Sequence, residues 1–454
     1  MKILICGAGI VGSGIAKHLA QDNNNDVVVI DQDQDNLNRL SSSVDIKTIH
    51  GLCSDPNILH EAGADNIDVL IAITVEDELN MITCQIAKTL FDVPLKIARI
   101  RNQSYLEPKW EQLFGQQQLP IDIIISPELE VANSIINRLH APGSCDMFPI
   151  AKSNCKVTAV KLTERSVFLN KDWGFFQSRT NDLDLSIICI VQDDKVKTPA
   201  PEFTFRKDDE IYFIANNANT KTAMSLFGHE EKEAHKILIV GGGNIGYHIA
   251  KRFEDESETH RIKLIEVGTE RAEYIAEHLR DTLVINGSAL EEEILHEANI
   301  KNTETIIAVT NDDEVNILAS LLAKKNGCRS SVALINSMSF GPIIGNLGID
   351  VVVNPRETTT STILGYIRRG KIKGVHTIHD GAGEVLEVDV LNGMKIIGKN
   401  VSELDLKQGI NFAALIRDGE LVKITSETVI NEGDRAIIYA ASKHNKAVEK
   451  LFAG

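Results

Sequence analysis

Apolar residues in this chain come in short, nearly unbroken runs, separated by stretches with helical spacing. Ile3-Leu4-Ile5-Cys6, Val27-Val28-Val29-Ile30, Val69-Leu70-Ile71-Ala72-Ile73 and Ile121-Asp122-Ile123-Ile124-Ile125 read as strands. Strand runs alternating with 3.6-residue periodicity predict an α/β fold, a doubly wound parallel sheet of the Rossmann-like kind. After Pro127 the pattern changes. One amphipathic helix, about Glu128–His140, leads to separated strands at Lys156–Leu162, Leu185–Gln192 and Glu210–Ala215, then to helical Thr220–Phe227. This tail reads as a small α+β C-lobe.

The same order then runs a second time. Ile237-Leu238-Ile239-Val240 and Ile262-Lys263-Leu264-Ile265 open the second half as the first two runs open the first. Ile58-Leu59-His60-Glu61-Ala62 returns as Ile294-Leu295-His296-Glu297-Ala298, and Asp77-Glu78 with Asn80 returns as Asp313-Glu314 with Asn316. Ser126-Pro127 returns as Asn354-Pro355, followed by a helical stretch at about Thr358–Arg369 and by strands at Val385–Val390, Phe412–Arg417 and Arg435–Ala441, then helical Lys443–Phe452. So many ordered matches indicate an internal duplication.

The predicted domains are lobe 1 over residues 1–127, a connecting helix over 128–142, a C-lobe over 143–228 and a linker over 229–235. Lobe 2 spans 236–355, a second connecting helix 356–370 and a second C-lobe 371–454.

Composition narrows the class of partner. With 47 Lys and Arg against 64 Asp and Glu, the net charge of −17 argues against a nucleic-acid groove. The seven cysteines, at 6, 53, 84, 145, 155, 189 and 328, are scattered and odd in number, which favours a reducing, cytoplasmic setting over a disulfide framework. No apolar stretch approaches the roughly 18 residues of a membrane span.

The chemistry lies where the first strand of each half ends. Gly7-Ala8-Gly9-Ile10-Val11-Gly12 and Gly241-Gly242-Gly243-Asn244-Ile245-Gly246 are both G-x-G-x-x-G turns between a strand and a helix. In such a turn the first glycine permits the bend, the second lets backbone approach a pyrophosphate, and the third lets helix and sheet pack closely. The helix N-terminus favours the anion. Asp31 and Glu266 end the second strand, about 20 residues on, where a carboxylate accepts ribose hydroxyls. The charge of Asp31 would repel a 2′-phosphate, so NAD(H) is expected over NADP(H) at the first site. Thr74 and Thr310 end the fourth strand, placed either to meet a ribose or phosphate or simply to cap the strand.

The halves also differ. Arg99 and Arg101 share one face of the fifth strand in lobe 1, a pair suited to charge-assisted bonds with phosphate. Aligned through Tyr105 and Phe340, lobe 2 has Leu334 and Asn336 in those places. Two unequal sites are expected.

With these motifs, and with Gly51-x-x-Ser54-x-Pro56 and His60-Glu61-Ala62-Gly63-Ala64-Asp65, the whole chain resembles the TrkA-type family. These are peripheral nucleotide-binding subunits of bacterial and archaeal Trk potassium uptake systems, built from tandem regulator-of-potassium-conductance (RCK) domains. The resemblance implies a repeat protein that is not an enzyme. It implies a homotetramer on the cytoplasmic face of the membrane, where it gates a Trk-type potassium-translocating subunit. It also implies NAD(H) at lobe 1, held by Gly7 to Val11, Asp31, Thr74, Val75 and Arg99, and NAD(H) or ATP/ADP at lobe 2, held by Gly241 to Ile245 and Glu266. Leu52-Cys53-Ser54-Asp55 departs from the family pattern, which often has a Gly-Asp pair near the nucleotide.

The competing reading is an NAD-dependent oxidoreductase with tandem Rossmann domains. It needs a catalytic lobe supplying an acid or base, and the C-lobes offer no such constellation. His376-Thr377-Ile378-His379 has two histidines without a third ligand and reads as a turn between strands rather than a metal site. The C-lobes read equally as ligand sensors or as dimerisation modules.

Overall fold

A computed structural model of the chain describes residues 1–20, 25–115, 118–150, 153–256, 259–337, 347–367, 372–378, 382–425, 427–444, 447–448 and 451–452. In lobe 1 the apolar runs become β1 (Lys2–Cys6), β2 (Asp26–Asp31), β3 (Lys47–His50), β4 (Val69–Ala72), β5 (Leu95–Arg99) and β6 (Ile123–Ile125). They form a parallel sheet in the order β3-β2-β1-β4-β5-β6. Helices cover both faces, which explains the unbroken apolar runs: Ile3, Leu4, Ile5 and Cys6 are all fully buried. The strand order reverses between β1 and β4, where open α/β sheets bind their ligands.

The first C-lobe is antiparallel: β7 (Ser144–Pro149), β8 (Cys155–Lys161), β9 (Leu185–Gln192), β10 (Lys195–Lys197) and β11 (Glu210–Asn216) lie in the order β10-β9-β11-β8-β7. Lobe 2 repeats the parallel sheet with β12 (Lys236–Val240), β13 (Arg261–Glu266), β14 (Leu283–Asn286), β15 (Thr305–Ala308), β16 (Ser330–Leu334) and β17 (Val351–Val353), ordered β14-β13-β12-β15-β16-β17. The second C-lobe has β18 (Ile372–Ile378), β19 (Gly383–Asp389), β20 (Ile410–Arg417), β21 (Glu420–Lys423) and β22 (Arg435–Ala441), ordered β18-β19-β22-β20-β21. Each strand holds the same place as its counterpart in the first C-lobe.

The connecting helices, Pro127–Leu139 and Pro355–Ile367, each begin on the proline that the sequence repeats. Proline suits the first helical position, where its missing N–H costs nothing. The chain forms two compact units, one of Met1–Glu130 with Arg356–Ile367, the other of Val131–Pro355 with Arg368–Gly454. In the second unit Val131, Ala132, Ile135, Ile136 and Leu139 of the first connecting helix bury against Ile249 and Phe253 of lobe 2. In the first unit the second connecting helix runs beside lobe 1, with the Arg356 side chain 3.0 Å from where a Cβ on Gly14 would stand. Each helix thus serves the lobe of the other half.

The two C-lobes also share a core within the second unit. Phe148, Ile150, Val157, Ile188, Val191 and Ile214 of one pack with Ile378, Val385, Ala414, Ile416, Ile437 and Tyr439 of the other. Asn411 Nδ2 donates across to the carbonyls of Ile187 (3.1 Å) and Ile188 (2.8 Å).

Some elements differ from the expectation. Strand β7 and the helix Trp173–Arg179 were not foreseen, and Lys443–Phe452 falls partly outside the described residues. His376 lies in strand β18, not in a turn: its ring stacks on Phe148 at 3.6 Å between centroids, and Nε2 is 3.6 Å from Glu387 Oε1. His379 lies outside the described residues.

Candidate nucleotide-binding sites

In lobe 1 the strand-to-helix turn is fixed by glycine geometry. Gly7 sits at φ +114°, a conformation that favours glycine, and its N–H donates to Ile30 O (2.8 Å). A Cβ on Gly12 would stand 1.9 Å from the Gly7 carbonyl oxygen, so helix and turn close together only with glycine there. Gly9 is different: a Cβ on it would meet nothing within 4 Å. The protein itself makes no demand for glycine at this position, and open space lies beside its backbone. The helix Ile10–Ala20 starts immediately after, with the Ser13 N–H bonded to Gly9 O (2.9 Å).

Asp31 ties this turn to the end of β2. Its Oδ2 accepts the Ala8 N–H and its Oδ1 accepts the Asp33 N–H at 2.7 Å. A carboxylate has about four acceptor sites, so two remain for hydroxyls. Thr74 donates its hydroxyl to Asn80 Oδ1 at 2.8 Å, and the Asn80 amide reaches the carbonyls of Thr74 (3.2 Å) and Arg99 (3.0 Å). Asn80 therefore bolts the ends of β4 and β5 together. At the rim Ile10 is 59% and Val75 70% exposed, unusual for such side chains beside a helix N-terminus. Val11 is half-buried in the first turn of the helix.

Arg99 and Arg101 do converge, and they converge on Glu128. Arg99 Nη2 lies 3.3 Å and Arg101 Nε 2.9 Å from Glu128 Oε1. Burial pulls the Arg99 guanidinium below its usual range, against the attraction of Glu128. Arg99 Nε and Glu128 Oε2 are both buried without a hydrogen-bond partner. Asp77 completes this edge: it accepts the Arg101 and Asn102 N–H groups (2.9 and 2.7 Å) and attracts the Arg99 charge, so two guanidiniums face two carboxylates. Glu128 was missed by sequence reasoning, although a signal existed: its counterpart in the second half is Arg356, a reversal of charge.

Lobe 2 reproduces the frame. Gly241 has φ +101°, a Cβ on Gly246 would stand 2.0 Å from Gly241 O, and one on Gly243 would meet nothing within 4 Å. Glu266 accepts the N–H of Gly242 (2.6 Å) and of Gly268 (2.8 Å). Thr310 donates to Asn316 Oδ1 at 2.8 Å, and Asn316 reaches Leu334 O at 2.9 Å. Asn244 and Ile245 open the helix Asn244–Glu256, placing a polar side chain where lobe 1 has Ile10.

The arginine pair is absent here, as expected, but one cation comes from elsewhere. Arg271, on the helix Thr269–His278, donates from Nε to Gly242 O at 2.7 Å. Its guanidinium lies 5.6 Å from the Tyr247 ring and 5.0 Å from Tyr274. Lobe 1 has Asn36 at the matching position.

These residues fit an adenosine phosphate. Each lobe offers an open cradle at a helix N-terminus and a strand-end carboxylate with spare acceptor sites, and lobe 1 adds an orphaned buried guanidinium nitrogen. Among the described residues no cluster of three or more His, Cys, Asp or Glu could hold a metal ion.

Comparison with known proteins agrees with the duplication. The TrkA-N domain matches twice, at residues 3–127 and 237–355, and the TrkA-C domain matches at 385–453. The chain is 38% identical over 452 residues to the Trk system potassium uptake protein TrkA of Azorhizobium caulinodans, covering 100% of this chain and 98% of that protein. It is 35% identical to the TrkA of Halomonas elongata over 457 residues, with 100% and 98% covered. Among solved structures, the GsuK RCK domain superposes with a TM-score of 0.61 at 20% identity, covering 99% of this chain and 94% of that one. The GsuK channel bound to NAD gives the same TM-score and identity, with 99% and 78% covered. The chain belongs to the TrkA family of Trk system potassium uptake proteins.

Proposed function

We propose that this chain is a nucleotide-reading regulatory subunit that gates a Trk-type potassium-translocating membrane subunit. It reads NAD(H) at lobe 1 and NAD(H) or ATP/ADP at lobe 2. The family is one of potassium uptake proteins rather than of dehydrogenases, so the oxidoreductase reading falls. Among the described residues no helix is long and apolar enough to cross a membrane. In this reading the chain acts from the cytoplasmic face, as a homotetramer, on a partner that holds the ion path.

The observation that carries the proposal is the open space at Gly9 and Gly243. The glycines that flank them are fixed by the fold, whereas these two are free of contact. A ligand that approaches the backbone accounts for their presence. The NAD-bound GsuK channel, of the same fold, is consistent with NAD as one such ligand.

The sites are unequal in charge and shape. Arg99 and Arg101 suit the added phosphates or pyrophosphate at the first, while Arg271 with two tyrosines marks the second. Unequal sites let two ligands favour different conformations, and only differential affinity shifts such an equilibrium.

Calorimetry on the full chain tests this. Gly9→Leu is expected to abolish NAD or ATP binding at lobe 1 alone, and Gly243→Leu at lobe 2 alone, each with the fold intact. Wild-type binding with a single site, or loss of both sites in either variant, contradicts two independent cradles.

A further inference from the structure

The segment that follows the strand-end acid carries a different charge in the two lobes. Lobe 1 reads Asp31-Gln32-Asp33-Gln34-Asp35-Asn36, and lobe 2 reads Glu266-Val267-Gly268-Thr269-Glu270-Arg271. Over these six positions lobe 1 has three carboxylates and no cation, whereas lobe 2 has two carboxylates and one cation. Asp33, whose Oδ1 accepts the Asp35 N–H at 2.9 Å, gives way to Gly268, and Asn36 gives way to Arg271. The next cation of lobe 1, Arg39, bonds Asn36 Oδ1 (2.7 Å) and Asp35 O (3.3 Å).

Arg271 stands beside the acid of lobe 2. Glu266 Oε2 accepts the Gly242 N–H at 2.6 Å, and Arg271 Nε donates to the carbonyl of the same residue at 2.7 Å. Aromatic rings prop the guanidinium: its Cζ lies 5.6 Å from the Tyr247 ring and 5.0 Å from Tyr274, which stacks on His278 at 4.0 Å between centroids. Lobe 1 has Ser13 and Arg39 in place of the two tyrosines. Among the described residues only Nε of Arg271 has a hydrogen-bond acceptor, and none of Glu266, Glu270 and Glu273 forms a salt bridge with it. Both Nη groups are therefore available to donate.

In a Rossmann site the strand-end acid takes the 2′-hydroxyl of the adenosine ribose, and an arginine nearby accommodates a phosphate carried there. Asp31 and Glu266 each spend both oxygens on backbone N–H groups, so what separates the lobes is the acid's neighbour. In lobe 1 Asp33 and Asp35 add to the repulsion of a 2′-phosphate. In lobe 2 a guanidinium gripping the same glycine as the acid offsets that repulsion, and its planar fork matches two phosphate oxygens.

We propose that the second cradle accepts an adenosine nucleotide phosphorylated on its ribose, NADP(H) as well as NAD(H), and that Arg271 decides this selectivity. The proposal rests on lobe 2 being a nucleotide site. Lobe 1, with Asp31, Asp33 and Asn36, keeps to NAD(H), so one chain samples both nicotinamide coenzymes.

Calorimetry with NAD and NADP as probes, on the full chain at constant ionic strength, tests this. Gly9→Leu leaves lobe 2 to be read alone, and Gly243→Leu leaves lobe 1. Lobe 2 is expected to bind NADP at least as tightly as NAD, and lobe 1 to bind NADP at least about tenfold more weakly than NAD. Adding Arg271→Gln to the Gly9→Leu chain should cost NADP at least about tenfold more affinity than it costs NAD. A purely structural role for Arg271 would lower both affinities by the same factor, and that result overturns the proposal. So does NADP binding at lobe 2 that is weaker than NAD binding. Binding of neither coenzyme, ATP or ADP to the Gly9→Leu chain instead removes the nucleotide reading of lobe 2, and the proposal with it.

Discussion

Asp31 holds two jobs in one carboxylate. It accepts the Ala8 and Asp33 N–H groups, and in the proposed function its remaining acceptor sites take ribose hydroxyls. Asp31→Ala therefore leaves the buried Ala8 N–H unsatisfied, at a cost of about 1–3 kcal/mol, and weakens nucleotide binding at lobe 1 while sparing lobe 2. Denaturant melts together with calorimetry check both effects; equal loss at the two sites contradicts them. Glu128 works in the opposite sense, because it neutralises part of the Arg99 and Arg101 charge. Glu128→Gln is expected to tighten ATP binding at the first site and to lower the stability of the nucleotide-free chain, since it leaves a buried cation unpaired. Weaker ATP binding in a folded variant would show that Glu128 is not a competitor for the phosphate. Asp31, Glu266 and the glycines were legible in the sequence because their spacing is dictated by backbone geometry. Glu128 and Arg271 were not, because each reaches the site from another element.

At the scale of elements, His260 gives the clearest pH dependence. It precedes β13, its ring lies 4.9 Å from Phe253, and neither ring nitrogen has a hydrogen-bond partner. Burial, the largest influence, pulls its pKa below the usual 6.5, with His235 and His140 adding to the fall and Glu233 and Glu256 opposing it. The folded state thus prefers neutral imidazole, while the unfolded chain takes up a proton near pH 6.5. The stabilising contribution is present above that pH and is lost as pH falls through the lower folded value. Thermal melts should fall in midpoint below about pH 6.5, and His260→Leu should flatten that fall; an unchanged slope in the variant contradicts the assignment. The parallel strands were readable because burial on both faces makes them continuous apolar runs. β7 escaped because Cys145 and Asp146 are only half-buried and its register shifts between Ser144 and Asp146. The amphipathic connecting helices announce a buried face but not the lobe that covers it. Their exchange between halves is a tertiary fact.

For the molecule as a whole, duplication has become internal pairing. The C-lobe sheets cover each other within one chain, through Ile188, Ile214, Ile416 and Ile437 among others. Of the two earlier readings of these lobes, pairing therefore has a structural basis here. Faces spent in this way are not available for joining further copies, so the proposed tetramer must be built on other surfaces. The connecting helices give each lobe a neighbour from the other half, and the helix that follows the Gly-rich turn of lobe 1 lies close to an element of the second repeat: Arg356 beside Gly14 is the instance in the first unit. That arrangement suits two nucleotide sites that act on one output.

Potassium flux through the reconstituted Trk-type membrane subunit, with the full chain bound, tests this most directly. NAD, NADH, ATP and ADP are added in turn to wild type, Gly9→Leu and Gly243→Leu. Flux should change with at least one nucleotide, and the two variants should remove different parts of the response. Flux that is the same with all four nucleotides, or two variants that behave identically, would contradict a gate built on two unequal sites.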